Sequence, residues 1–121
     1  MLKEVIYLAT PYGHSDKIIR QKRADVANQI SGKLIKDGYV VISPIVYGHE
    51  ILRYYDFPSD FTFWDSFCLS LLSKCDKMIV YKMPNWEDSR GVLEEIKFCE
   101  KHRIPIEYME YDELMHNNLY N

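Results

Sequence analysis

Two adjacent glutamates, Glu94 and Glu95, follow a turn in the stretch "NWEDSRGVLEEI", residues 85–96. Asp88 or Ser89 can cap a helix there, and Gly91 leaves its first turn uncovered, so the free amides suit an anionic group. On a wheel at ~100° per residue, Val92, Ile96 and Cys99 point one way, with Leu93 beside them, and define the packed face. Glu94 falls opposite, toward solvent, whereas Glu95 lies at the boundary beside Val92 and Cys99. Burial would raise the pKa of such a carboxyl and the positive helix end would lower it. From that boundary a side chain can reach into a crevice.

The apolar pattern supplies the elements that must position these groups. "EVIYLA" (4–9) reads as a buried strand, broken by Pro11 and Gly13. Ser15 or Asp16 offers an N-cap, and Ile19, Val26, Ala27, Ile30 and Leu34 set a helical stripe over 16–36, with Lys36 in the last turn and Gly38 just past it. "YVVIS" (39–43) is a second strand ended by Pro44, and 45–60 is read as irregular apart from a short helix around 48–54. Residues 60–74 place Phe61, Trp64, Cys68, Leu71 and Leu72 on one helix face, capped by Ser59 or Asp60. "CDKMIVYKM" (75–83) is the third strand, a helix follows to about Lys101, and "IPIEYME" (104–110) is the fourth. One further turn of helix is expected within the tail from Asp112 to Asn121.

Strands alternating with helices predict parallel crossovers. The fold class is therefore α/β, a three-layer doubly wound, flavodoxin- or Rossmann-like parallel sheet of four to five strands. No repeat, linker or low-complexity stretch interrupts residues 1–121, which read as one domain. Ligands in such sheets bind beyond the carboxyl ends of the strands, where "ATPYGHSD", "SPIVYGHE" and "YKMPNWEDSRG" meet.

Composition narrows the function classes. A net charge of −3 carries no basic footprint, so duplex nucleic acid is not an expected partner. No apolar run approaches the ~20 residues of a membrane span, and "MLKEVIYLAT" is strand-like and unlike a signal peptide, so a cytoplasmic location is expected. Cys68, Cys75 and Cys99 show no CxxC spacing and the four histidines no HxxxH spacing, so no metal site is expected.

Four segments in order, "IYLATPYG", "SP" after the second strand, "LLSKCDKMIV" and "DSRGVLEEI", resemble the nucleoside 2-deoxyribosyltransferase superfamily, which includes the deoxynucleoside 5′-monophosphate N-glycosidases. The W-x-x-S-R-G-V-x-x-E form of the last segment is most similar to a small branch of short phage and bacterial proteins. The resemblance covers roughly residues 5–108, and Ser89-x-Gly91-Val92-x-x-Glu95 is its most specific part. It implies cleavage of the N-glycosidic bond of a nucleoside or its 5′-monophosphate, hydrolysis ahead of transfer, with no cofactor. It also implies Glu95 as nucleophile, Tyr7 on the first strand as its partner, and Ser89 with Gly91 at the positions that hold a 5′-phosphate. Arg20 and Arg23 are candidate phosphate or ribose partners, and Arg90 suits a charged ligand or a pair with Asp88. Pro11, in the loop after the first strand, and Asp88 complete the candidate binding set.

One position departs from the resemblance. Relatives carry an acid four residues ahead of the leucine matching Leu72, where it helps protonate the leaving base, and here that position is Cys68. Asp65 is the nearest substitute, with Asp56 and Asp60 as further options. Loss of the acid leaves a non-catalytic nucleotide-binding module on the same fold as the alternative reading. The resemblance implies a homodimer or larger homo-oligomer, and the aromatic segment "YYDFPSDFTFW" (54–64) fits a self-association patch, or else rings that roof the site or fold back on their own core. The tail "MHNNLYN" is expected to fray, with reaching into a neighbouring pocket as the alternative.

Overall fold

Side-chain alternation along the first strand sets which chemistry faces which layer. In the computed structural model, which describes residues 2–57 and 61–116, β1 (Val5–Ala9) lies inside a four-stranded sheet. The order is β2-β1-β3-β4, all parallel, with β2 spanning Val40–Ile42, β3 Lys77–Lys82 and β4 Ile106–Glu110. Tyr7 registers with Ile42 on one side and Met78 on the other. Successive residues point to opposite faces. Ile6 and Leu8, with Ile79 and Tyr81 of β3, pack on Val26, Ile30 and Leu34 of α1 (Lys17–Lys36). Tyr7 and Ala9, with Met78 and Val80, pack the other way on Cys68 and Leu72 of α3 (Phe61–Leu72) and on Val92 and Cys99 of α4 (Arg90–His102). The result is the expected α/β sandwich with helices on both sheet faces. Each fully buried large apolar side chain contributes ~1.5–3 kcal/mol, so the two clusters fix the layers.

Local signals explain most boundaries. Asp16 is the N-cap of α1, its carboxylate accepting the Ile18 amide, and Gly38 just past the helix takes φ +102°, where a side chain would be strained. Asp76 ties the sheet ahead of β3 by accepting the Val5 amide through Oδ2 at 2.8 Å. Arg103 ends α4 at φ 59°, with its amide bonded to the Cys99 carbonyl.

The segment after β2 differs from the sequence expectation. α2 spans Pro44–Ile51, where an irregular stretch and a helix near 48–54 were expected. Ser43 caps it by accepting the Val46 amide, and Pro44 occupies the first turn, where its missing N–H costs nothing. Trp86–Asp88 adds a 3₁₀ turn entered through Asn85 at φ 70°, a left-handed conformation that asparagine tolerates. The expected cap at Ser59 or Asp60 and the tail beyond His116 lie outside the described residues; up to His116 the chain makes turns and no helix. Among the described residues no helix is long and apolar enough to cross a membrane.

Candidate active site

A cavity of about 560 Å³ opens where the chain leaves the carboxyl ends of the strands. Thr10 and Tyr12 reach it from the loop after β1, Gly48 and His49 from α2, and Ser89 and Gly91 from the start of α4. This is the position the sheet topology predicts, and the volume lies within the ~300–1,000 Å³ of small-molecule sites.

Glu95 lines this cavity from the side of α3 and α4 and is only 5% exposed. Its neighbour Glu94 turns outward to Lys97, 3.5 Å away. The inward turn of Glu95 follows from the helical wheel, and the partner it meets follows from strand alternation. Tyr7, fully buried on β1, donates its hydroxyl to Glu95 Oε2 in a short hydrogen bond. Burial pushes the Glu95 carboxyl from 4.5 up to about 8, against the Tyr7 bond, which lowers it. Burial and the adjacent Glu95 push the Tyr7 phenol well above its usual range. At neutral pH the free protein therefore holds Glu95 mostly as the neutral acid.

Cys68 lines the same wall, close to both groups. Burial, followed by the charge of Glu95, pushes its thiol up to about 12, which removes it as a proton donor at neutral pH. Asp65 is exposed on α3 and does not line the cavity, so this expected substitute acid stands away from Glu95. One helical turn ahead of Cys68 was the right face only for Trp64, which does reach the cavity. Asp56 is exposed and also off the cavity, and Asp60 lies outside the described residues.

The start of α4 forms the rim. Ser89, not Asp88, is the N-cap, with Oγ 3.2 Å from the Val92 amide. Asp88 lines the cavity at the end of the 3₁₀ turn, and Arg90 Nη1 donates to Thr62 Oγ1 at 2.9 Å, not to Asp88. Gly91 lines the opening beside them.

The opposite wall comes from the α1 side. Arg23 is 6% exposed, lines the cavity, and donates through Nη1 to the Gly13 carbonyl at 2.8 Å and the Tyr12 carbonyl at 3.4 Å. Arg20 does not line it; its guanidinium is bonded to the His14 carbonyl. Pro11 is buried behind the wall.

Three wall residues were not singled out from sequence: Thr10, Tyr12 and His49. Tyr12 Oη lies 2.7 Å from His49 Nδ1, and His49 Nε2 lies 3.1 Å from Gln21 Oε1. Gln21 gives its amide nitrogen to Asp25, so its oxygen faces the ring and His49 carries its proton on Nε2. Tyr12 then donates to Nδ1, and burial lowers the His49 pKa further from the charged form. The loops "ATPYGHSD" and "SPIVYGHE" marked the region, but a pair 37 residues apart leaves no spacing to read. Among the described residues no three His, Cys, Asp or Glu side chains are grouped to hold a metal ion.

No curated protein matches the chain by sequence. A family profile described as a domain of unknown function, DUF1937, matches residues 4–111, and the chain belongs to that family.

Proposed function

We propose that the protein cleaves the N-glycosidic bond of a nucleoside or nucleoside 5′-monophosphate, with hydrolysis ahead of transfer to a second base. The observation that carries this reading is the buried carboxyl of Glu95 on the cavity wall, held by Tyr7. The resemblance of the surrounding motifs to nucleoside 2-deoxyribosyltransferases and 5′-monophosphate N-glycosidases supports the same chemistry. Glu95 attacks the anomeric carbon as the C–N bond breaks, and the bonding pair leaves with the base. A covalent glycosyl ester forms on Glu95 and water then releases the sugar. Tyr7 keeps Oε2 fixed and leaves Oε1 to approach the sugar. With Cys68 unable to donate and Asp65 outside, the departing base takes its proton from water entering at the cavity mouth. Positive charge growing on the sugar favours the ionised carboxylate, and base release rises with pH through a midpoint near 8 in the free enzyme.

The test is release of free base, followed by chromatography, from a panel of nucleosides and 5′-monophosphates. Release that disappears in Glu95→Ala supports cleavage. The second reading, a nucleotide-binding module without turnover, is favoured by the Cys68 thiol standing where the proton donor would be. Tight binding without base release, unchanged in Glu95→Gln, would establish it and end the first.

A further inference from the structure

The two walls of the cavity differ in one respect that the glycosidase reading does not use. Arg23 is a buried guanidinium whose bonds, among the described residues, go to the backbone carbonyls of Tyr12 and Gly13. Among the described residues no carboxylate lies within ion-pair distance of it, and its Nε has no hydrogen-bond partner. A guanidinium keeps its charge when buried, and a buried charge without a counter-charge is costly. A second orphan stands on the same wall: Thr10 Oγ1, in a residue 4% exposed, also lacks a partner. Both residues line the cavity. Thr10 follows Ala9 in the strand's alternation, which carries it toward the α1 face where Arg23 sits. The first turn of α4 offers a poorer place for negative charge, because Asp88 lines the cavity there and the Val92 amide is already taken by Ser89 Oγ.

We infer that Arg23 and Thr10 form a phosphate subsite on the α1 wall, and that a nucleotide ligand anchors its phosphate there, not on the first turn of α4. Arg23 supplies the positive charge, Thr10 stands on the same wall, and the Tyr12 and Gly13 carbonyls hold the guanidinium in place. The sugar then lies between this subsite and Glu95, across the end of β1. This rests on reading the cavity as a nucleotide site, but not on bond cleavage.

The test is therefore made on the full chain carrying Glu95→Gln, which binds without turnover. Isothermal titration compares a nucleoside with its 5′-monophosphate, and inorganic phosphate with acetate. The monophosphate is expected to bind at least ~tenfold tighter than the nucleoside, the scale of a hydrogen bond to a charged group. Arg23→Gln is expected to remove that gain, and Thr10→Val, which keeps the side-chain shape, to reduce it. Inorganic phosphate is expected to compete with the monophosphate and acetate is not. Circular dichroism checks that Arg23→Gln folds, and Thr10→Val decides the matter if it does not. A phosphate gain untouched in both variants assigns the anion to α4 and overturns the inference, as does equal binding of nucleoside and monophosphate. Base release measured separately on the wild type tests the glycosidase reading, so the two can fail independently.

Discussion

Two buried tyrosines on neighbouring strands, Tyr7 on β1 and Tyr81 on β3, each hold a titratable side chain, yet the two clusters are built to opposite ends. Tyr81 donates its hydroxyl to His116 Nε2 at 2.8 Å and accepts the Asp112 amide at 2.9 Å, while His116 Nδ1 lies 2.7 Å from Gln29 Oε1. Both ring nitrogens of His116 and the Tyr81 hydroxyl have partners, and the cluster fastens the chain after β4 onto the α1 face. Tyr7 holds Glu95 on the opposite face through one oxygen only, and among the described residues nothing bonds the other, which lines the cavity. A saturated cluster rigidifies; an unsaturated one beside a cavity waits for a ligand. Buried polarity alone does not separate the two roles. The count of unmet bonds does.

Substitutions break this contrast in graded steps. Glu95→Gln is expected to lower base release at least ~1,000-fold, as for loss of a nucleophile, with the fold intact by circular dichroism. Tyr7→Phe is expected to lower base release at pH 7 by ~10–100-fold and to move the pH midpoint above 8, because the Tyr7 bond lowers the Glu95 pKa. A pH–rate profile with an unmoved midpoint would remove Tyr7 as the positioning residue. Tyr81→Phe should do the reverse: it leaves the Asp112 amide and His116 Nε2 unpaired, costing ~1–3 kcal/mol in denaturant unfolding, with base release per folded molecule unchanged.

The smallest effect separates the clusters by the sign of their pH dependence. Glu95 has a raised pKa in the folded chain, so its contribution to stability is full below about 4.5 and is lost as pH rises through about 8. His116 has a lowered pKa, so its contribution is present above 6.5 and is lost as pH falls below it. Unfolding midpoints measured across this range should flatten on the alkaline side in Glu95→Gln and on the acid side in His116→Gln. Flattening on the same side in both would dissolve the distinction.

Much of this was legible in the sequence because it rests on short-range periodicity. The 3.6-residue repeat sent Glu95 inward and Glu94 outward, and the strand–helix alternation gave the parallel sheet, whereas the place of Tyr7 came from the family resemblance and not from its strand's repeat. What escaped depended on contacts between distant segments or on turn chemistry overlooked. Ser43-Pro44 is a cap followed by a first-turn proline, a signal present in the sequence but read as the end of a strand. Asp65 sits one turn before Cys68, but about 60° around the helix from it, enough at the edge of the buried face for Asp65 to meet solvent. The Tyr12–His49 pair arises only when α2 is laid beside the loop after β1.

A protein that stores a proton on Glu95 at neutral pH also has a calorimetric signature. Any ligand that brings positive charge against Oε1 expels that proton to the medium, and the measured heat then includes the medium's own heat of protonation. Titrations of the wild type in Tris and in PIPES should differ in apparent enthalpy at pH 7 in proportion to the fraction of a proton released, while Glu95→Gln gives the same heat in both.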